Sequence, residues 1–186
     1  TYCLEGKQNE CQSMRFMGSA QFNPHVHGGF AQYVTVSAQQ CYPYDENVPS
    51  QIMALAEPTA VVIHAINVAG SLVGKKVLVI GAGPIGALTI AAAKASGAVE
   101  IVASDISERC RNIALEMGAD ASVNPLDESA MEIYNQNKGY FDVTFEASGA
   151  PAAIASSVFA TRPNGLIVQI GMGPSPVHYP VAQMLV

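Results

Sequence analysis

From Lys76 onward, short apolar runs alternate with helical stretches, and this alternation restricts the chain to a β-α-β architecture. Each helical stretch is long enough to cross over and return the chain to a parallel neighbour. The predicted strands span 77–80, 101–104, 121–123, 141–145 and 166–170, with helices at 84–96, 108–117, 128–137 and 150–160. The sequence therefore predicts an α/β fold, a doubly wound parallel sheet with helices on both faces.

The segment Gly81-Ala82-Gly83-Pro84-Ile85-Gly86 follows the first of these strands and opens the first helix. A G-x-G-x-x-G pattern in this context is typical of a dinucleotide-binding turn. The first glycine allows the tight turn, the second lets a pyrophosphate approach the backbone, and the third lets the helix pack against the strand. Proline is tolerated in the first helical turn, where an N–H has no helical partner. Residues 81–86 are therefore candidate cofactor-binding residues.

Asp105 ends the second predicted strand, 24 residues after Gly81. A dinucleotide-binding unit places there the carboxylate that accepts hydrogen bonds from the adenosine ribose. This carboxylate favours NAD, because the 2′-phosphate of NADP would bring a second negative charge close to it. Arg109 and Arg111 complicate the assignment, since an arginine just after the second strand can bind that phosphate. The alternatives are a turn that binds no ligand, Asp105 as a helix N-cap, and a methyltransferase-type nucleotide site.

Two more loops follow predicted strands at the carboxyl edge, where open parallel sheets bind ligands. Glu146-Ala147-Ser148-Gly149 follows the fourth strand, and Gly171-Met172-Gly173 follows the fifth. On this ground Ser148, Gly149 and Gly171 are candidate cofactor contacts. Without the first glycine motif, the same glycines would be read as ordinary turn residues.

Residues 1–50 have a different composition, which is rich in Gly, Pro, Gln and Asn. They predict two strand fragments, at 30–36 and 41–44. His25 and His27 have an H-x-H spacing but lie among Pro, Gly and Asn, so we interpret them as part of a solvated loop rather than as metal ligands.

A nearly uncharged helix is predicted at 58–69, directly after Glu57, because proline favours the first helical position. His64 on this helix is interpreted as a core histidine. We place the domain boundary here, which gives domains at 1–54 and 55–186.

The composition excludes several classes of function. Nine Lys and Arg stand against 15 Asp and Glu, for a net charge of −6. With no basic run, neither nucleic acid nor an anionic membrane surface is an expected partner. An apolar fraction of 49% rules out disorder. The four cysteines are too unevenly spaced for a secreted disulfide framework, so we expect reduced thiols in a cytoplasmic protein.

Taken together, the motifs resemble the medium-chain zinc-dependent dehydrogenases, in their polyol (sorbitol) branch. The segments that carry the resemblance are Cys3-x7-Cys11, SMRFMGSA at 13–20, PHVHGGF at 24–30, AEP at 56–58, GAGPIG at 81–86, MGAD at 117–120 and FDV at 141–143. The resemblance covers the whole chain. Within the branch, Met14-Arg15-Phe16 favours a sugar acid over sorbitol as the substrate.

The resemblance implies two zinc sites. In the family, four cysteines spaced C-x2-C-x2-C-x7-C hold a structural zinc, and Cys3 and Cys11 match the final interval. Glu57 matches a glutamate associated with the catalytic zinc, whose cysteine and His-Glu ligands would precede Thr1. The chain is therefore expected to be an internal piece of a longer protein.

The resemblance also implies the domains and the activity. Residues 55–186 would form a Rossmann-type NAD-binding domain lacking its last strand, and 1–54 a remnant of a β-rich, GroES-like catalytic domain. The expected reaction is hydride transfer between a secondary alcohol of a polyol or sugar acid and NAD. Glu57 and the pocket aromatic Phe16 would be the catalytic residues, in a full-length protein that forms a dimer or tetramer.

Two rival interpretations stay open. One is a zinc-free quinone reductase of the same superfamily, against which Cys3, Cys11 and Glu57 argue. The other is a non-catalytic dinucleotide-sensing module, which would keep the 81–86 turn and Asp105 but would not need Glu57.

Overall fold

The computed structural model describes residues 2–19 and 23–184. Thr1 and Ala20, the latter being the last residue of the 13–20 segment, lie outside the described residues. The chain divides into two compact units, Thr1–Val48 and Pro49–Val186.

The second unit is built on five parallel strands. The strands are β1 (Lys76–Ile80), β2 (Glu100–Ser104), β3 (Ala121–Val123), β4 (Phe141–Glu146) and β5 (Thr161–Gln169). The helices are α1 (Ser50–Met53), α2 (Ala56–Ala69), α3 (Pro84–Ala95), α4 (Glu108–Glu116), α5 (Glu128–Asn135), α6 (Pro151–Ala160) and α7 (Val181–Met184). The strand order is β3-β2-β1-β4-β5, with every pair parallel. The predicted doubly wound parallel sheet is confirmed.

The side chains of β1 alternate between two cores. Val77 and Val79 pack in a cluster with residues of α2, α3 and α4, whereas Leu78 and Ile80 belong to a cluster with residues of α5 and α6. Each such side chain stabilises the fold by about 1.5–3 kcal/mol when it is fully buried. Burial on both faces is the reason that this strand is an unbroken apolar run in the sequence.

The register of the sheet brings the carboxyl ends of four strands to one level. Ile80 of β1 pairs with Ser104 of β2 and with Glu146 of β4, and Glu146 pairs with Gln169 of β5. The loops that follow these strands therefore leave the sheet side by side. They contain the candidate cofactor contacts.

The fifth strand begins earlier than predicted, at Thr161 rather than at 166. Its pairing with β4 jumps from Phe141↔Thr161 to Val143↔Leu166, so that 162–165 form an irregularity inside the strand. Asn164 has a φ of +60° there. The predicted turn at Pro163-Asn164-Gly165 thus exists, but it interrupts β5 instead of preceding it.

The first unit corrects the two strand fragments predicted at 30–36 and 41–44. Within 2–19 and 23–48 the backbone forms turns and three short 3-10 helices, at Tyr2–Glu5, Gln8–Glu10 and Ala38–Gln40, and no strand. Its hydrogen bonds are local, for example from the Cys41 N–H to the Ala38 carbonyl. An isolated extended segment is not stable without a paired neighbour, and none of the described residues supplies one.

Two smaller corrections concern helices. His64 is exposed on α2 rather than in the core, since the buried positions of this helix are Val62, Ala65 and Ile66. The helix predicted at 128–137 ends as an α-helix at Asn135 and continues as a 3-10 turn, Gln136–Lys138. None of the helices in the described part of the chain has both the length and the apolar composition needed to cross a bilayer.

A carboxylate ties α3, β2 and β3 together. Asp120 accepts a hydrogen bond of 2.7 Å from the N–H of Ile101, a fully buried residue, and pairs with Lys94 at 3.2 Å. The Ile101 N–H and the Lys94 ammonium lower the pKa of Asp120, against an opposing effect of burial. A lowered pKa in the folded state means that this stabilisation is present above pH about 4 and is lost as the pH falls through the folded value.

We therefore predict that Asp120→Ala lowers the free energy of unfolding by about 1 kcal/mol at pH 7, because the Ile101 N–H loses its acceptor. Lys94→Ala is the matched control and should cost under about 0.5 kcal/mol, since it removes only an exposed ion pair. Urea unfolding followed by circular dichroism, from pH 7 down to pH 3, measures both. The difference between wild type and Asp120→Ala should narrow at acid pH; a difference independent of pH would contradict this account.

Candidate dinucleotide-binding site

The three glycines after β1 differ in what surrounds them. Gly81 has a φ of +88°, and a Cβ on it would lie 2.8 Å from the Ser148 nitrogen. A Cβ on Gly86 would lie 1.8 Å from the carbonyl oxygen of Gly81, so only glycine lets α3 approach the strand this closely. A Cβ on Gly83 would meet nothing within 4 Å. The first and third glycines are thus required by packing, whereas the space over Gly83 is open to a ligand.

The start of α3 faces this open space with partial positive charge. Gly83 is the N-cap and has no side chain to accept from the first N–H groups, and Pro84 contributes no N–H of its own. The N–H groups of Ile85 and Gly86 lie in the first turn, where a helix has no internal partners for them. Such a terminus attracts a phosphate through these N–H groups and the helix dipole.

Asp105 connects this turn to the end of β2. One of its carboxylate oxygens accepts from the Ala82 N–H at 2.7 Å, and the other accepts from the Ser107 N–H at 2.7 Å. The N-cap of α4 is Ser107, whose hydroxyl accepts from the Cys110 N–H at 3.4 Å, so the alternative of Asp105 as an N-cap is wrong. Each carboxylate oxygen has a second lone pair, which leaves Asp105 able to accept from ribose hydroxyls.

The two arginines of α4 have different surroundings. Arg111 donates to the carbonyl oxygens of Asp105 at 2.8 Å and Ile106 at 3.0 Å, and so holds the loop that carries Asp105. Arg109 is exposed in the first turn of the same helix. Of the two, Arg109 is the one that stays a candidate for contact with the cofactor.

The loops after β4 and β5 pack against the glycine turn and against each other. Ser148 lies over Gly81, and a Cβ on Gly171 would lie 2.2 Å from the Gly149 nitrogen. The structure thus brings Ser148, Gly149 and Gly171 to the same edge as Gly81 and Asp105. The described residues here fit a dinucleotide, with an open cradle over Gly83 and a carboxylate beside it.

Sequence reasoning missed Glu146, which is fully buried at the end of β4. Its carboxylate accepts from the N–H groups of Ser148 at 2.9 Å and Gly149 at 3.0 Å, and from the side chain of Gln169 at 2.5 Å. The available signal was a carboxylate at the end of a strand that the sequence predicts to be buried, since such a group needs several donors when it is buried.

The residues associated with zinc are only partly brought together. In the first unit, hydrogen bonding to Cys11 and the charge that Cys11 can carry raise the pKa of the Cys3 thiol, so the two predicted ligands lie side by side. No group of three or more His, Cys, Asp or Glu side chains lies together within 2–19 and 23–184. The described residues therefore do not complete a tetrahedral zinc site.

The remaining predicted site residues are exposed. Glu57 lies in the first turn of α2, and Phe16 of the first unit is 55% exposed. His25 and His27 are also exposed, with ring centroids 5.9 Å apart, as the interpretation of a solvated loop requires.

A separate cavity of about 470 Å³ lies beside the amino-terminal half of β5, between α6 and α7. Arg162, Pro163, Leu166 and Phe159 are among its lining residues, and none of the candidate dinucleotide contacts lines it. The candidate site is instead an open edge.

Comparison with known proteins assigns the family. The family described as zinc-binding dehydrogenase matches residues 84–186, more than half of the chain, and the chain belongs to it. L-idonate 5-dehydrogenase (NAD(P)(+)) of Escherichia coli (strain K12) is 46% identical over 184 residues, which are 99% of this chain and 53% of that protein. The chain thus spans about half the length of the curated relatives it matches.

Solved structures agree with this assignment. The crystal structure of L-idonate 5-dehydrogenase from Escherichia coli str. K-12 substr. MG1655 superposes with a TM-score of 0.95 at 45% identity, covering 100% of this chain and 53% of that one. A zinc-binding dehydrogenase of Sinorhizobium meliloti 1021, solved bound to NADP, has a TM-score of 0.89 at 28% identity, covering 99% of this chain and 54% of that one. The fold class and the family expected from the sequence are confirmed.

The contrast between two glycines gives a prediction. Gly83→Ala should leave the free energy of unfolding unchanged or raise it by up to about 1 kcal/mol, because its φ of −65° suits alanine and its Cβ meets nothing. The same change should weaken NAD binding at least tenfold, since the methyl group occupies the space over the turn. Gly81→Ala should instead lower the melting temperature, because of its positive φ and the contact with Ser148. Thermal unfolding and calorimetric titration of both variants test this, and a Gly83→Ala chain that binds NAD like wild type would contradict it.

Proposed function

We propose that this chain is the dinucleotide-binding part of an NAD-dependent dehydrogenase that oxidises a secondary alcohol of a polyol or sugar acid. The observation that supports this most is the Asp105 carboxylate, 2.7 Å from the Ala82 N–H at the rim of the glycine turn. L-idonate, oxidised at C5 to 5-ketogluconate, is the proposed substrate, since L-idonate 5-dehydrogenase of Escherichia coli is 46% identical over almost the whole chain.

Each described loop has a task in this proposal. The N–H groups at the start of α3 bind the pyrophosphate, and the open space over Gly83 lets it approach. Asp105 accepts from the adenosine ribose while its bond to the Ala82 N–H keeps the turn in place. Ser148 and Gly171 border the rest of the cofactor. When NAD is bound, it supplies the nicotinamide carbon that accepts the hydride.

Glu57 is proposed to act at the catalytic metal, because it stands in the AEP segment at the start of α2 that resembles the family's ligand-bearing segment. The described residues do not complete a zinc site. Domains at 1–54 and 55–186, and assembly of the whole protein into a dimer or tetramer, are part of the same proposal.

We predict that the chain prefers NAD to NADP at least tenfold, a difference of about 1.4 kcal/mol. Asp105 would lose one ribose donor to a 2′-phosphate and face a like charge, a repulsion of about 4 kcal/mol at 4 Å and an effective dielectric constant of 20, before solvent reduces it. Calorimetric titration with both cofactors measures the preference. Asp105→Ala should reduce the difference in affinity between NAD and NADP, while Asp120→Ala, the control, should leave this difference unchanged. Equal or tighter binding of NADP by wild type would overturn the assignment.

The substrate is tested with a hybrid enzyme in which this chain replaces the matching 53% of the Escherichia coli L-idonate 5-dehydrogenase. We predict NADH formation from L-idonate with a kcat/KM at least tenfold higher than from sorbitol, and none by the 186-residue chain alone. Glu57→Gln in the hybrid should lower kcat at least tenfold and leave NAD affinity unchanged. A folded hybrid that binds NAD but oxidises no polyol or sugar acid would favour the dinucleotide-sensing module instead.

A further inference from the structure

Glu146 is a buried carboxylate whose donors are all neutral. It is 0% exposed, and none of the ion pairs among the described residues includes it. Its hydrogen bonds come from the backbone N–H groups of Ser148 and Gly149, from the Ser148 hydroxyl and from the amide group of Gln169. A buried carboxylate is tolerated only when such donors satisfy its oxygens, so the surroundings of Glu146 are built around a hydrogen-bond acceptor.

Ser148 and Gly149 lie in the loop after β4, and Gln169 is the last residue of β5, directly before the second loop at the candidate cofactor edge. The Ser148 backbone lies against Gly81, where a Cβ would come within 2.8 Å of the Ser148 nitrogen. Gln169 also donates to the Gly171 carbonyl at 2.7 Å, and so links Glu146 to the loop after β5. The backbone carbonyl of Glu146 accepts from the Gly171 N–H at 2.8 Å. One residue thus holds the loops after β4 and β5 in fixed positions beside the glycine turn.

We propose that Glu146 is a positioning residue of the dinucleotide site. It fixes the distance between the Ser148–Gly149 loop and Gly81 without touching the cofactor. This inference rests on the proposed function, since it takes the edge at Gly81 as the place where the dinucleotide binds. Glu146 acts through Ser148 and Gly149, which are candidate cofactor contacts.

The donors around Glu146 require a hydrogen-bond acceptor at both of its carboxylate oxygens. Donors approach one oxygen from Ser148 and the other from Gln169, with the Gly149 N–H between them. A glutamine of the same shape has one oxygen and one NH₂ group, so its NH₂ would face another donor on one side. The donor that faces this NH₂ group would have to move away, and this movement would displace the loop after β4 or the loop after β5.

Asp142, on the same strand, provides a matched control. It lies at the opposite end of β4, where it accepts from the Lys76 N–H at 2.8 Å and pairs with Arg162 at 2.7 Å. Like Glu146, it is a carboxylate that ties neighbouring strands together, but it is remote along β4 from the edge that holds Gly81. Loss of its hydrogen bonds should lower stability without altering the loops at the carboxyl edge.

The experiment compares NAD affinity and melting temperature for the full chain, Glu146→Gln and Asp142→Asn. We expect Glu146→Gln to raise the dissociation constant for NAD at least tenfold. Asp142→Asn should change the dissociation constant for NAD less than twofold, even if it lowers the melting temperature as much as Glu146→Gln does or more. NAD binding by Glu146→Gln within twofold of wild type would overturn the proposal, and so would an equal loss of affinity in both variants.

A second variant keeps the test decisive if Glu146→Gln does not fold. Gln169→Met removes the amide donor at an exposed position that is not among the candidate cofactor contacts. It should weaken NAD binding at least threefold, and an unchanged affinity would overturn the proposal. A wild-type chain that binds no NAD would instead refute the proposed function itself, which separates the two failures.

Discussion

The hydrogen bond from the Ala82 N–H to the Asp105 carboxylate joins the turn after β1 to the end of β2, and the candidate site is arranged around it. The bond is possible because Ile80 and Ser104 are paired in register, so both strands end at one level. Arg111 stabilises the loop that carries Asp105 by donating a hydrogen bond to the Asp105 carbonyl oxygen. The Asp105 carboxylate therefore fixes the turn before any ligand binds, and this pre-organisation reduces the entropic cost of binding.

The strand order explains why a ligand site forms here and not elsewhere along the sheet. β1 lies between β2 and β4, so the chain leaves it on one side and returns on the other. The connections after β1 and β4 therefore diverge and leave a crevice at the carboxyl edge, which is where open α/β sheets bind ligands. Gly81 lets the loop after β4 come close, and Glu146 holds that loop in place.

Local chemistry made part of this structure predictable. The strands β1, β2 and β4 agree with the sequence prediction to within a residue, because burial on both faces favours apolar and β-branched residues. The glycine motif is recognisable because packing requires glycine at Gly81 and Gly86. Glu146 was not recognised, since its burial depends on the assembled sheet and one of its donors, Gln169, is brought beside it only by β5. The start of β5 was missed because Pro163 and Gly165 are turn residues in sequence, whereas pairing with β4 absorbs them as an irregularity. The strands expected near Phe30 fail because their hydrogen-bond partners are not among the described residues.

Amide hydrogen exchange of the full chain with and without NAD tests the central claim most directly. The account predicts that NAD slows exchange in three segments, 81–86, 105–107 and 146–149, because these N–H groups bind the cofactor or are held by the groups that do. Exchange at 158–167, beside the cavity along β5, should stay unchanged. Protection confined to 158–167, with none at the glycine turn, would contradict the account.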